Sequence, residues 1–213
     1  MCLPAPAGKK EESVRQTMHA RWGCLSGWWR FDERAAGITG RIVDMPVQEG
    51  LVSVEEYLNT SYDGPDREYV DGRIVERNLG EQDHSWPQGE LIVFFASTRK
   101  TLGTYAFPEQ RVEVKATRFR VPDVCVCMGA RPSEQVFRTP PFLAIEILSK
   151  DDRASELQEK LDDYRSFGIS FTWVIDPSTR HGYTYSLEDG YKMRPGLYTK
   201  NPDLDLPLST LFE

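Results

Sequence analysis

From residue 53 onward, apolar and polar positions fall into short periodic runs. Ser53 with Glu56 three residues on reads as a capping box opening a short helix through Leu58. REYVDGRIVER alternates on either side of Asp71-Gly72, the pattern of two short strands joined by a tight hairpin turn. A helix is predicted from about Pro87 to Leu102, with Pro87 tolerated in the first turn and Gly103 as the stop. RVEVKATRF and RVPDVCVCM are two strand candidates, and PFLAIEILS is a third. DDRASELQEKLDDYRSFG places Ala154, Leu157, Leu161 and Tyr164 on one helical stripe and ends at Gly168. SFTWVIDP reads as a buried strand closed by Asp176-Pro177 and GYTYSLEDGYKM as a hairpin turning at Asp189-Gly190. The tail LDLPLSTLF reads as a loop with a short helical turn. This order predicts an α/β chain of the mixed α+β kind, with a strand–helix–strand unit around Glu146 and Trp173.

Two carboxylates break this apolar pattern. Glu146 shares one strand face with Phe142, Ala144 and Leu148, while Leu143, Ile145 and Ile147 form the other. Apolar residues on both faces mark a central strand covered on two sides. Asp123 lies among Val121, Cys125 and Cys127, with Val124 and Val126 opposite. Burying a carboxylate costs several kcal/mol or more unless a cation or hydrogen bonds compensate. Either acid alone is better explained as a wet, structural residue at a strand end. Together with Lys160, whose stem runs along the edge of the predicted apolar stripe, they point to a divalent-metal hydrolase site.

Composition sharpens and limits that reading. The 213 residues suit one domain with an appendage, and no apolar run approaches the length of a membrane span. Lysines near the N-terminus are followed by no apolar core, so no secretory signal is expected there. Cys125 and Cys127, two apart in a strand pattern, fit neither a zinc knuckle nor a redox pair. With Cys2 and Cys24 they read as free thiols of a reduced cytoplasm. The net charge of −7 argues against a protein that coats nucleic acid passively, since that needs a basic surplus. Residues 1–44, which hold Trp22, Trp28 and Trp29, show no sustained period. PVQEGLVSVEEYL after Met45 opens like an ordinary domain, so a misassigned start is one explanation of the extension, with the domain proper at 45–213. Taking away its seven basic and five acidic residues leaves 19 against 28, a charge of −9.

VEEYL, REYVDGRIVE, VPDVCV, AIEILS, the Lys160–Tyr164 pair before FGI, and WVIDP occur in an order and spacing that resemble the Uma-type restriction-endonuclease family of the PD-(D/E)XK nuclease superfamily. These stretches cover most of residues 52 to 195. The resemblance implies a restriction-endonuclease-like core: a central mixed sheet flanked by helices, with a C-terminal β-hairpin. It implies hydrolysis of nucleic-acid phosphodiester bonds, DNA first, with Mg²⁺ or Mn²⁺. The implied metal ligands are Asp123, Glu146 and the backbone carbonyl of Ile147. Lys160 would orient or help deprotonate the attacking water, and Glu68 would act through a water or a second metal. Leu148 stands where the superfamily's strand lysine is usual, and Lys160 on the next helix is the matching residue. His84 falls where the family often has a histidine opening a helix, but Pro87 follows so closely that the helix is expected to start after it. Tyr164 is a further accessory candidate, and a homodimer is the expected way to reach two strands.

Other features carry less. Arg111, Lys115, Arg118 and Arg120 form a basic stretch that reads either as a phosphate-steering strand edge or as a solvated hairpin. Tyr183, Tyr185 and Tyr191 read as cross-strand packing, and His181 in a polar turn suggests nothing. No Gly-rich phosphate loop, GxSxG elbow or HExxH is present. The competing readings are a nuclease fold kept as a binding or scaffolding module, and a hydrolase of smaller phosphoesters.

Overall fold

The computed structural model of the protein describes residues 50–62, 66–78 and 81–213. The expectations for the N-terminal extension lie outside those residues. Helix α1, Val54–Asn59, starts as read, because the Ser53 hydroxyl accepts the Glu56 N–H at 3.1 Å. Strands β1, Glu68–Val70, and β2, Arg73–Val75, flank Asp71 (φ 48°) and Gly72 (φ 91°), the doubly positive pair of a tight hairpin turn. RVEVKATRF is a hairpin rather than one strand. Its two arms are β4, Val112–Lys115, and β5, Arg118–Arg120. Asp71 pins this reversal: its amide donates to the Thr117 carbonyl at 2.8 Å, and its carboxylate accepts the Thr117 hydroxyl at 2.7 Å. The four strands form a sheet in the order β2-β1-β5-β4. The rings of Tyr57, Tyr69 and Phe119 pack α1 onto it.

The larger sheet is built on β7, Leu143–Ile147, all five residues of which are buried. β7 lies between β6, Val124–Met128, and β8, Phe171–Asp176. Outside these lie β3, Thr104–Pro108, on one edge, and β9, His181–Ser186, followed by β10, Arg194–Pro195, on the other. The β7–β8 pair is the one parallel pairing among the described strands. Parallel neighbours need a crossover, here helix α3, Ala154–Phe167, closed by Gly168 at φ 98°. Leu143, Ile145 and Ile147 face helix α2, Gln82–Leu102, while Ala144 faces α3 through Tyr164. The two-sided burial read from the sequence is therefore correct.

Several boundaries differ from the reading. α2 begins five residues before Pro87, which sits inside the helix. Proline disfavours helix at the residue before it, but tertiary contacts hold this first turn, as described below. β3 escaped notice because TYAFP is too short to display a period. The hairpin after β9 turns at Leu187–Gly190, yet its return strand is Arg194–Pro195. Tyr191 is held back: its amide donates to the Ser186 carbonyl at 2.7 Å and its hydroxyl bonds that of Thr172. The tail adds a hairpin, β11 Leu197–Thr199 with β12 Leu204–Leu206, before the expected helical turn α4, Ser209–Phe212. Ala154 is exposed, so the apolar stripe of α3 starts a turn later than read. Cys125 and Cys127 are free and pack into the cluster on the α3 side of the sheet. No described helix is long and apolar enough to cross a membrane.

Candidate active site

The β6–β7 register pairs Val124 with Ile145, which sets Asp123 directly opposite Glu146. Cross-strand partners share a face, so both carboxylates come to the same side of the sheet. That side is covered by α3, where Lys160 and Tyr164, four residues apart, share one helix face. The Lys160 ammonium lies 2.9 Å from Glu146 Oε2, and the Tyr164 hydroxyl bonds Glu146 Oε1. Glu68 arrives from the smaller sheet, its Oε1 3.2 Å from the same ammonium. Sequence reasoning placed these five residues together, and the fold brings Glu68, Asp123, Glu146 and Lys160 to one cleft of about 540 Å³, with Tyr164 buried behind Glu146.

Asp123 sits one residue before β6 and is held from several directions. Arg77 Nη2 donates to Oδ1 at 2.6 Å, and the Ile147 N–H donates to Oδ2 at 2.7 Å. His84 Nε2 lies 3.2 Å from Oδ2. The Asp123 carbonyl accepts from Gln88 Nε2 at 2.9 Å. His84 and Gln88 stand one turn apart at the start of α2, so the site fastens this end of the helix despite Pro87. His84, doubtful when the helix was expected to begin later, is therefore part of the constellation.

The charges act on one another strongly. Burial would raise the Asp123 pKa, but the His84 hydrogen bond and charge, Arg77 and the Ile147 amide hold it below the usual carboxylate range. Burial raises the Glu146 pKa, helped by the neighbouring Asp123 and Glu68 charges and only partly opposed by Lys160 and the Tyr164 hydroxyl. Burial would lower Lys160, yet Glu146, Glu68 and Asp123 outweigh it and hold the amine above its ordinary value. The three carboxylates around the amine thus favour its charged form. Two carboxylates on one face with opposite shifts are a mark of acid–base or metal chemistry.

Two participants, Arg77 and Asp163, were not read from the sequence, and Arg120 was read only as part of the basic stretch. Arg77 Nη1 is buried without a hydrogen-bond partner, 3.4 Å from Glu109 Oε1. Arg120 joins Glu68 to Asp163 in the interior. The basic stretch is the hairpin of the second reading, with its side chains engaged in ion pairs rather than simply solvated. Arg111 pairs with Asp66, Lys115 and Arg120 with Asp163, and Arg118 with Asp71. Those partners lie some forty residues away in sequence, so no local signal marks them.

Among the described residues, no three His, Cys, Asp or Glu side chains converge as a closed metal cage. The donors offered are the Asp123 and Glu146 carboxylates and one main-chain carbonyl. Pro122 falls opposite Ile147 in the register and has no N–H to give that carbonyl. The Ile147 N–H already points to Asp123, and in a strand the N–H and C=O of one residue share an edge. Hard oxygen donors in this small number fit Mg²⁺ or Mn²⁺, which keep waters and take substrate oxygens, better than a four-ligand zinc site.

No curated protein matches the chain. Among solved structures it is similar to "a putative nuclease belonging to DUF820 from Anabaena variabilis ATCC 29413". That match has a TM-score of 0.65 and 23% identity, covering 76% of this chain and 97% of the other. At this identity the likeness shows the fold, a mixed sheet flanked by helices as in a nuclease. The profile of the Uma2 family, described as "Putative restriction endonuclease", matches residues 54–211, a span that includes every residue of the cleft named above. With most of its length matched, the chain belongs to the Uma2 restriction-endonuclease family.

Proposed function

We propose that the protein is a divalent-metal-dependent endonuclease that hydrolyses phosphodiester bonds of nucleic acid, with DNA as its substrate. The observation that carries this is the placement of Asp123 opposite Glu146 on one sheet face, with the Lys160 ammonium 2.9 Å from Glu146. A Mg²⁺ or Mn²⁺ ion held by Asp123, Glu146 and the Ile147 carbonyl would acidify the attacking water and offset charge developing on the phosphate. Arg77, His84 and the Ile147 amide keep Asp123 ionised and aimed into the cleft. The Tyr164 hydroxyl fixes the rotamer of Glu146. Lys160 turns a positive charge toward the phosphate and orients the attacking water or helps to deprotonate it.

The test is cleavage of DNA and RNA with Mg²⁺ or Mn²⁺. Asp123→Ala and Glu146→Ala are expected to abolish cleavage while the circular dichroism spectrum stays native. Unchanged cutting by both variants would end the assignment. A second reading, a non-catalytic binding module, draws on the ion pairs already present. Arg77, His84 and Lys160 neutralise the acids without a metal. Thermal unfolding with Mn²⁺ separates the two, since a metal that binds only the folded state raises the melting temperature by mass action.

A further inference from the structure

We propose that Arg120, clamped by Asp163, is a positioning residue that sets the Lys160 ammonium through Glu68. The β1–β5 register pairs Tyr69 with Phe119, so Glu68 and Arg120 are direct cross-strand partners. Arg120 Nη1 donates to Glu68 Oε2 at 2.9 Å. Its Nε and Nη2 both donate to Asp163 Oδ2, at 2.9 and 2.7 Å. The other Glu68 oxygen accepts the Val121 N–H at 3.2 Å and faces Lys160 Nζ at 3.2 Å. Glu68, Arg120 and Asp163 are buried, with 1%, 3% and 1% exposure.

The result is a closed circuit of alternating charge. Lys160 and Asp163 are on α3, one turn apart, and Arg120 with Glu68 bridges them from the smaller sheet. A planar guanidinium presents its donors in a rigid fork that fixes the directions of two carboxylates, whereas an ammonium on a flexible stem takes its position from the carboxylates around it. One Glu68 oxygen is taken by Arg120 and the other by the Val121 N–H and Lys160, so Glu68 serves as a strut for the lysine. The strut has a purpose. A lysine head on a flexible stem, left with Glu146 as sole partner, would settle onto that carboxylate and compete with a metal. Shared between Glu68 and Glu146, it is drawn to one side and held at a set point.

For the effect on turnover, the inference rests on the nuclease reading; for the ammonium, it does not. The experiment is therefore made on the full chain with two readouts, for wild type, Asp163→Asn and Arg120→Lys. Asp163→Asn is nearly isosteric, and Arg120→Lys keeps the charge while removing the fork. The first readout is the Lys160 ammonium resonance in ¹⁵N-lysine-labelled protein, identified by its loss in Lys160→Arg. The second is kcat and KM for cleavage at saturating Mn²⁺. The resonance is expected to shift or broaden in both variants. kcat should fall by about 10- to 100-fold, the usual effect of removing an outer partner, with KM for nucleic acid unchanged. A resonance identical to wild type in both variants overturns the proposal, whatever the cleavage assay gives. So does an unchanged kcat accompanied only by a lower melting temperature, which is the mark of a purely structural clamp. A shifted resonance in a wild-type background that cuts no nucleic acid overturns the nuclease reading and supports the positioning role.

Discussion

Asp163 shows how a buried charge reports on pH. Burial alone would raise its carboxyl, but the hydrogen bonds from Lys115 and Arg120, with the charges of Arg120 and Arg118, hold it below the ordinary value. A carboxyl depressed in the folded state binds fewer protons there than in the unfolded chain. Its contribution to stability is therefore present above the unfolded pKa of about 3.9 and is lost as pH falls through the folded pKa. Urea unfolding from about pH 5 downward should show wild type losing stability more steeply than Asp163→Asn, which lacks the titrating group. Parallel curves would contradict the assignment. The same residues show what a sequence reveals at this scale. Asp123 and Glu146 stand out because each interrupts an apolar run, and burial of such an acid is a local anomaly. Asp163 in LDDYRS and Arg120 in RFR sit among other charges and look solvated. Their burial is decided by chain 43 residues away, where Arg120 and Asp163 meet. Arg77 is similar: an arginine after a short strand predicts nothing until Asp123, 46 residues on, folds back against it.

At the scale of elements, two glycines predict opposite outcomes for one substitution. Gly89 lies exposed inside α2 with helical backbone, and an added Cβ would meet nothing within 4 Å. Gly89→Ala should therefore stabilise the protein by about 0.5–1 kcal/mol, through a less free unfolded chain and better helix propensity. Gly168 closes α3 at φ 98°, and its nearest neighbour, Pro140 Cγ, is 3.7 Å from the added Cβ. Space is adequate there, so the left-handed backbone alone should make Gly168→Ala destabilising by about 1–2 kcal/mol. Denaturant midpoints of the two variants should move apart in these directions; a shift of the same sign would refute the argument. The helix stop at Gly168, the Asp71-Gly72 turn and the Ser53 cap were legible because each depends on one or two residues with special backbone chemistry. The start of α2 was not. Proline's local bias pointed to Pro87, and the contacts of His84 and Gln88 with Asp123 decide the boundary instead. The four-residue β4 and three-residue β5 were merged into one strand because runs so short display no period.

Over the whole molecule, the proposed nuclease function meets a limit set by charge on how nucleic acid could be held. The chain carries −7, and the basic residues that looked available for phosphates are spent internally. Arg111, Lys115, Arg118 and Arg120 face Asp66, Asp163, Asp71 and Glu68. Even the cleft is lined by more acids than bases, with Asp151, Asp152 and Glu156 beside Arg73 and Arg153. Binding driven by many phosphate contacts releases many counterions and weakens about 10³- to 10⁵-fold between roughly 50 and 200 mM salt. A protein that meets about two phosphates with its own cations, and leaves the rest to the divalent ion, should lose only about tenfold over the same range. The measurement is KM for cleavage against monovalent salt at constant Mn²⁺. A shallow slope is expected, together with a KM that changes little in Arg111→Gln, since that arginine already serves Asp66. A thousandfold rise in KM would mean that an extended basic surface holds the substrate, against the distribution of charge among the described residues. The slope thus decides between a polymer gripped along its length and one held chiefly where it is cut, and the ion pairs of the smaller sheet favour the second.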